Sequence, residues 1–405
     1  MGNRALTPIY LIGAHVLSML GFATYAALLP QLRDLWQLSN AEAGIVSGLY
    51  FAGYVGTVSL WTALTDRVDA RKVYLAGSLL AAAGSAGFGL FAQGFASAAA
   101  FQVLFGAGIA ATYMPGLRLL SERMSGASQS RYVAFYTSFF GVGTALSLAI
   151  AGFVAPAWGW QAAFIGSAAG PLAAGGLVYF LIAPSARKGT AQQISFSTLF
   201  PFAAWRKVLA NRACAGYTLG YTAHCLELFG SRGWMVAFLS FSAGLQLAGE
   251  GFPWELPAIA AVINLLAVPA SIFGNEVAIR IGRRRWILLV MAGSGSSGLL
   301  VAGGAAWHWA VVVALLAAYS MLVMAESGTL TAGLVSSAPP ELRGAALGLY
   351  SLAGFGGGML GPVLFGAALD AAGGALSGFA WIAGYAAIGA GCLAAPLVAR
   401  SFART

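Results

Sequence analysis

Residues Pro8 to Pro30 read PIYLIGAHVLSMLGFATYAALLP, 23 positions without a Lys, Arg, Asp or Glu. At about 1.5 Å rise per residue, a helix of this length crosses the roughly 30 Å hydrocarbon core of a bilayer. Comparable runs recur along the chain at 43–64, 73–93, 97–120, 132–156, 161–183, 213–241, 255–278, 286–305, 309–335, 345–367 and 377–399. Twelve helical spans are expected. A backbone exposed to lipid must satisfy its own hydrogen bonds, which leaves helices or closed barrels, and barrel strands would be short and alternating. The first run lacks a small-residue cleavage site and reads as a retained span, not a signal peptide.

Composition agrees. Of 405 residues, 8% are charged and 59% hydrophobic, against about 25% charge in a water-soluble domain. The net charge of +9 does not indicate nucleic acid, because the basic residues sit in short segments between spans and not on one face. With both termini in the cytoplasm, 18 of the 21 basic residues fall on inside segments. Arg33 falls outside, and Arg118 and Arg232 fall within spans. The positive-inside rule therefore predicts a multi-pass protein of the inner (plasma) membrane with cytoplasmic termini. The three cysteines lie in apolar runs and read as small core residues. The 55 glycines suit close helix packing in lipid.

The first run returns later in the chain. Ala14-His15-Val16-Leu17-Ser18-Met19-Leu20-Gly21 aligns with Ala223-His224-Cys225-Leu226-Glu227-Leu228-Phe229-Gly230 at an offset of 209, Arg67 with Arg280 at 213, and Arg131 with Arg343 at 212. Three registers agree on a duplication. The domain reading is a six-helix bundle over 1–183, a cytoplasmic linker over 184–212 and a second six-helix bundle over 213–405. Parallel repeats of this kind place a solute site between the halves and use rocking for alternating access.

On these features the chain resembles the major facilitator superfamily. The family's loop between spans 2 and 3 reads Gly-x-Leu-Ala-Asp-Arg-x-Gly-Arg-Arg. The stretch from Thr62 to Lys72 keeps Asp66, Arg67 and Arg71, with Thr62 and Asp69 replacing the glycines. The second copy, Asn275 to Arg285, keeps the Arg-x-Gly-Arg-Arg core but has Ile279 for the aspartate. Gln102 stands where proton-coupled members have a span-4 arginine, and span 5 lacks the Gly-Pro element of drug antiporters. The stretch around His224, Glu227 and Trp234 is similar to the cyanate-permease-like branch of small-anion and organic-acid carriers. The resemblance implies two pseudo-symmetric bundles in the major facilitator fold, and a secondary transporter.

Candidate residues follow from charge inside spans, where an ion costs at least ~2.5–3.5 kcal/mol and so needs a partner or a cavity. Span 7 carries His224 and Glu227, three apart on one face, and Arg232; a Glu227–Arg232 or Glu227–Arg118 ion pair is the structural alternative. Glu326 on span 10 and Arg118 on span 4 are candidates for substrate contact or an inner gate, with snorkelling as the other reading of Arg118. The resemblance places spans 1 and 7 around the cavity, which adds His15 as the repeat partner of His224. Tyr25, Tyr113, Tyr136, Tyr221 and Tyr350 offer hydroxyl donors. Asp66, Arg67, Arg71 and Arg280 form the expected cytoplasmic gate. His308, between Trp307 and Trp309, belongs to an interfacial belt.

No Walker loop, dinucleotide fingerprint or zinc-spaced cluster occurs, so neither cofactor nor metal is called for, and the chain does not read as an enzyme. The expected partners are a small-molecule solute, protons and the lipid bilayer, in a monomer large enough to enclose its own pathway. The functional expectation is a proton-coupled secondary active transporter of a small organic or anionic solute. The alternatives are a drug or metabolite exporter by proton antiport and a transporter-like solute receptor.

Overall fold

A computed structural model of the chain describes residues 6–124, 126–184, 199–247 and 251–402. Arg4, Arg187, Lys188 and Arg404, the side chain of Arg400 and the linker from 185 to 198 lie outside them. Among the described residues all regular structure is helical: α1 Thr7–Ser18, α2 Thr24–Leu35, α3 Asn40–Leu64, α4 Ala70–Phe91, α5 Phe95–Ser121, α6 Gly126–Ser167, α7 Ala169–Leu181, α8 Phe202–Ala210, α9 Arg212–Gly244, α10 Leu256–Ile281, α11 Arg283–Gly303, α12 Trp309–Ala325, α13 Ser327–Ser337, α14 Arg343–Ala371 and α15 Gly378–Phe402.

Nine stretches among the described residues are long and apolar enough to cross a membrane. One of them, Arg131–Leu181, runs 51 residues, roughly twice what a span needs. It divides at Gly159, whose φ of +85° is open to glycine at little cost. These nine stretches therefore supply ten spans. The remaining two expected spans are the repeat partners 1 and 7, one shorter in its helices and the other less apolar. Span 1 is broken between α1 and α2, and span 7, which is α9, is continuous over 33 residues but carries His224, Glu227 and Arg232.

The break in span 1 departs from the single helix expected over 8–30. Residues 19–23 form tight turns with Met19 N to Val16 O at 3.1 Å and Phe22 N to Met19 O at 2.9 Å. Side chains of α6 repair the ladder: Ser147 Oγ accepts from Ala23 N at 3.0 Å, and Thr24 Oγ1 lies 3.4 Å from Ser147 Oγ and 3.1 Å from Ser167 Oγ. Span 10 is likewise divided into α12 and α13, with Glu326 at the joint. His308 accepts from Ala310 N at 3.3 Å and caps α12, a structural task beyond the aromatic belt.

The chain forms two compact units, Met1–Leu28 with Leu49–Phe200, and Leu29–Gly48 with Pro201–Thr405. The first is built around Leu11, Tyr74, Leu119, Tyr136 and Val178. The second has a core of Val208, Cys214, Leu330, Leu334, Tyr350 and Cys392. All three cysteines are free and buried. Within the second unit α14 lies against α9 at backbone distance, because Gly357 and Gly361 face the carbonyls of Thr222 and Leu226. A Cβ at either glycine would land on a carbonyl oxygen, so the glycine run in span 11 is a packing surface.

Candidate functional site

The polar centre of the second unit is built on α9. His224 and Glu227 are each 1% exposed and Glu326 is 0% exposed. Their spacing on α9 puts His224 and Glu227 on one face, but the imidazole bonds across to the helix break: His224 Nδ1 lies 3.0 Å from Glu326 Oε1, and the Val323 carbonyl also accepts from the ring. Glu227 takes different partners. Ser294 Oγ of α11 donates to its Oε2 at 2.8 Å, and the Cys392 thiol of α15 donates to it as well. Among the described residues no arginine pairs with Glu227, so the alternative of a Glu227–Arg232 or Glu227–Arg118 ion pair is not what the structure holds.

Two carboxyls and an imidazole thus share a buried site, and among the described residues no Lys or Arg bonds to them. Glu227 and Glu326 repel each other when both are ionised, and Glu326 Oε2 is buried without a hydrogen-bond partner among the described residues. Burying an ionised carboxylate unpaired costs several kcal/mol, on the order of ~3–5 when a partner is removed from a buried pair.

Arg232, two turns along α9 from His224, is half-buried. Its charge reaches the imidazole, yet among the described residues its guanidinium has neither an ion pair nor a hydrogen bond. Tyr221 and Tyr350 are brought beside His224: the two phenol rings stack at 3.8 Å with an interplanar angle of 8°, and Tyr221 stacks on the imidazole at 5.7 Å. Tyr350 Oη is 3.0 Å from Thr331 Oγ1, which leaves Tyr221 as the half-buried member.

In the first unit His15 is 1% exposed. It lies in an aromatic box, stacked on Tyr136 at 4.4 Å and tilted against Tyr113 at 5.2 Å. Both of its ring nitrogens are buried without a hydrogen-bond partner among the described residues, a costly arrangement of ~1–3 kcal/mol per group that asks for a reason. Neither imidazole of the repeat pair faces lipid. Tyr25 packs edge-on to Phe88 at 6.1 Å in the core of this unit. Tyr136 donates to the Tyr113 carbonyl at 3.1 Å.

The α3–α4 turn and the start of α4 carry Asp66, Arg67 and Arg71 of the expected gate, and Arg280 lies in the last turn of α10. Arg118 of α5 donates to Asp66 Oδ1 at 2.6 Å, to Thr65 Oγ1 at 2.6 Å and to Glu122 Oε1 at 2.8 Å. Arg118 is therefore placed with Asp66 at the end of its span. Arg71 pairs with Asp69 at 2.7 Å and donates to the carbonyls of Tyr179 and Ile182 at 3.2 and 2.9 Å, tying the start of α4 to the end of α7. Arg67 and Arg280 are exposed.

Comparison with known proteins agrees with this architecture. The family model described as Major Facilitator Superfamily matches residues 11–362. The chain belongs to this superfamily of transporters. Among solved structures, a bacterial homologue of the human lysosomal transporter Spinster superposes with a TM-score of 0.75 at 14% identity, covering 100% of this chain and 96% of that one. The nucleoside transporter NupG gives 0.73 at 16%, covering 97% and 98%. Two curated sequences match over 130 residues, 32% of this chain. One is a putative niacin/nicotinamide transporter of Bacillus subtilis (strain 168), 27% identical over 32% of its length, and the other a niacin transporter of Acinetobacter baylyi, 28% identical over 29%. The match thus spans about a third of each relative.

Within the superfamily's loop, the departure at Asp69 has a physical reason. Asp69 Oδ1 accepts from Arg71 N at 3.0 Å, so this residue caps α4 where the family has glycine. Sequence reasoning missed Ser294 and Cys392, the partners of Glu227, since nothing in an apolar run marks which hydroxyl or thiol will face an acid. It also missed Glu122, although its i+4 spacing from Arg118 was a usable signal.

Proposed function

We propose that this protein is a proton-coupled secondary transporter of a small organic anion carrying a carboxylate, working by alternating access in the inner membrane with both termini cytoplasmic. The observation that carries this reading is Arg232, a half-buried guanidinium without an acceptor among the described residues, on the same helix as the Glu227–His224–Glu326 cluster. A guanidinium offers a fork that fits a carboxylate in two parallel bonds and is more weakly hydrated than an ammonium. The acids supply the proton that offsets the anion's charge. The partial likeness to niacin transporters supports the same chemistry, since niacin is a pyridine carboxylate. The absence of the drug-antiporter Gly-Pro pair in span 5 favours this reading over drug export.

The test is uptake into liposomes carrying the purified protein under an inward proton gradient, with nicotinate and simple aromatic and aliphatic monocarboxylates as solutes. Arg232→Gln is expected to cut uptake about tenfold or more, the scale of a charge-assisted hydrogen-bonded pair of ~1.5–3 kcal/mol, while Arg232→Lys retains part of it. Wild-type rates in Arg232→Gln would overturn the assignment. Solute binding without flux in the wild type would favour the receptor reading.

A further inference from the structure

The first four N–H groups of a helix have no partner inside it. At α3 all four are accounted for, and two of them by a residue far along the chain. Ser39 and Glu42 form a capping box, with Glu42 N donating to Ser39 Oγ at 3.2 Å and Ser39 N to Glu42 Oε2 at 2.9 Å. Ala43 N donates to the Ser39 carbonyl at 3.0 Å. The two remaining groups, Asn40 N and Ala41 N, both donate to Asp370, at 3.2 Å to Oδ1 and 2.8 Å to Oδ2. Asn40 Nδ2 adds a third bond to Oδ1 at 2.7 Å, and Arg33 holds Asn40 Oδ1 from the other side at 3.0 Å.

Asp370 lies in the last turn of α14. An acid there opposes the helix dipole of its own element, and the N-terminus of α3 supplies the positive end that offsets it. Behind the cap the two helices touch backbone to backbone: Gly44 faces the Pro362 carbonyl, Gly48 that of Met359, and Gly366 that of Asn40. The chain division follows this contact. Leu29–Gly48 belongs to the second compact unit, while the rest of α3 from Leu49 belongs to the first. One continuous helix is therefore shared by both units, and its first turns are fastened to α14 by a single carboxylate.

We propose that Asp370 is a releasable helix cap: its carboxylate fastens the start of α3 to the end of α14 in one state of the transport cycle, and the cycle advances when the cap lets go. This rests on the transporter reading. The bonds run from part-buried to exposed, so water takes over the freed N–H groups on release and the contact remains reversible. Asp370 acts as a positioning residue and makes no contact with the candidate solute site.

The first test needs no solute. Val46 is 0% exposed within the fastened segment, and the native cysteines are buried, so a Val46→Cys reporter measures opening by its reaction with a small thiol reagent. Asp370→Asn keeps the shape but replaces one acceptor oxygen by a donor that repels an N–H. It is expected to speed labelling about tenfold, the factor that loss of a helix cap commonly gives. An unchanged rate in a variant that runs as a folded species on size exclusion overturns the proposal. The second test is a cross-link between Asn40→Cys and Asp370→Cys, whose side chains touch in the native protein. Oxidation is expected to stop exchange of solute and reductant to restore it, and full exchange in the cross-linked protein likewise overturns the cap. Absence of flux in the unmodified wild type counts against the transporter reading alone and leaves the labelling result to decide the cap.

Discussion

Glu227 shows how much a single carboxyl's role depends on what it lacks. It accepts from Ser294 and Cys392, neutral donors that hold its geometry in either protonation state, and among the described residues no cation bonds to it. In the proposed cycle a proton comes and goes without dismantling the site. Glu227→Gln keeps an acceptor for Ser294 and removes the titration. Uphill, pH-gradient-driven uptake is expected to vanish in this variant, while downhill exchange stays within about threefold of wild type, the kinetic size of a change below ~1 kcal/mol. Accumulation ratios measured with and without an imposed gradient decide the point, and an unaltered gradient dependence would make Glu227 structural. Asp66 contrasts with it. Its pair with Arg118 leaves the carboxylate 64% exposed, and exposed pairs contribute only ~0–1 kcal/mol, so its effect in the proposed gate lies in biasing a two-state equilibrium.

At the scale of elements, sequence and structure part company where helices break. The spans were legible because a bilayer sets their length. The break at Glu326 was not legible: Ala325-Glu326-Ser327 contains neither proline nor glycine, and the joint is held by tertiary contacts such as Trp286 Nε1 donating to the freed Ala325 carbonyl at 3.0 Å. For the same reason the spacing on span 7 points His224 at its helix neighbour Glu227, whereas its observed partner Glu326 arrives from another span. Composition points to glycine as a packing residue throughout the spans, but the members of the α14 run differ in what they face. Gly361→Ala drives a Cβ into the Leu226 carbonyl, whereas at Gly356 a Cβ meets nothing within 4 Å. The expected outcome is a loss of ~1–3 kcal/mol for Gly361→Ala, read as a lower thermal midpoint in detergent, and a midpoint near wild type for Gly356→Ala. Equal midpoints would mean that α9 and α14 do not approach at backbone distance.

For the whole molecule the governing quantity is the distribution of charge across the twelve spans. Membrane insertion leaves Lys and Arg on the side where they are made, an effect that depends on short loops near span ends and not on net charge. The α11 start carries Arg283, Arg284 and Arg285, and Arg343 opens α14, whereas the α4–α5 turn through Gln93 and the α2–α3 turn carry no basic residue, the nearest being Arg33 in the last turn of α2. The proposed orientation follows, and it assigns each exposed turn to one face. Gln93 and Glu341 are both exposed and lie on turns of opposite assignment, so single-cysteine reporters at these positions read the topology directly against a background of buried native thiols. Gln93→Cys is expected to react with a membrane-impermeant maleimide in intact cells, and Glu341→Cys only after the membrane is permeabilised. The reverse pattern would place the Arg283–Arg285 cluster outside and put the Asp66–Arg118 cluster on the outer face. The Asp370 cap would then lie on the inner face, which exchanges the faces that the gate and the cap control and leaves the Glu227 site, deep in its unit, unmoved.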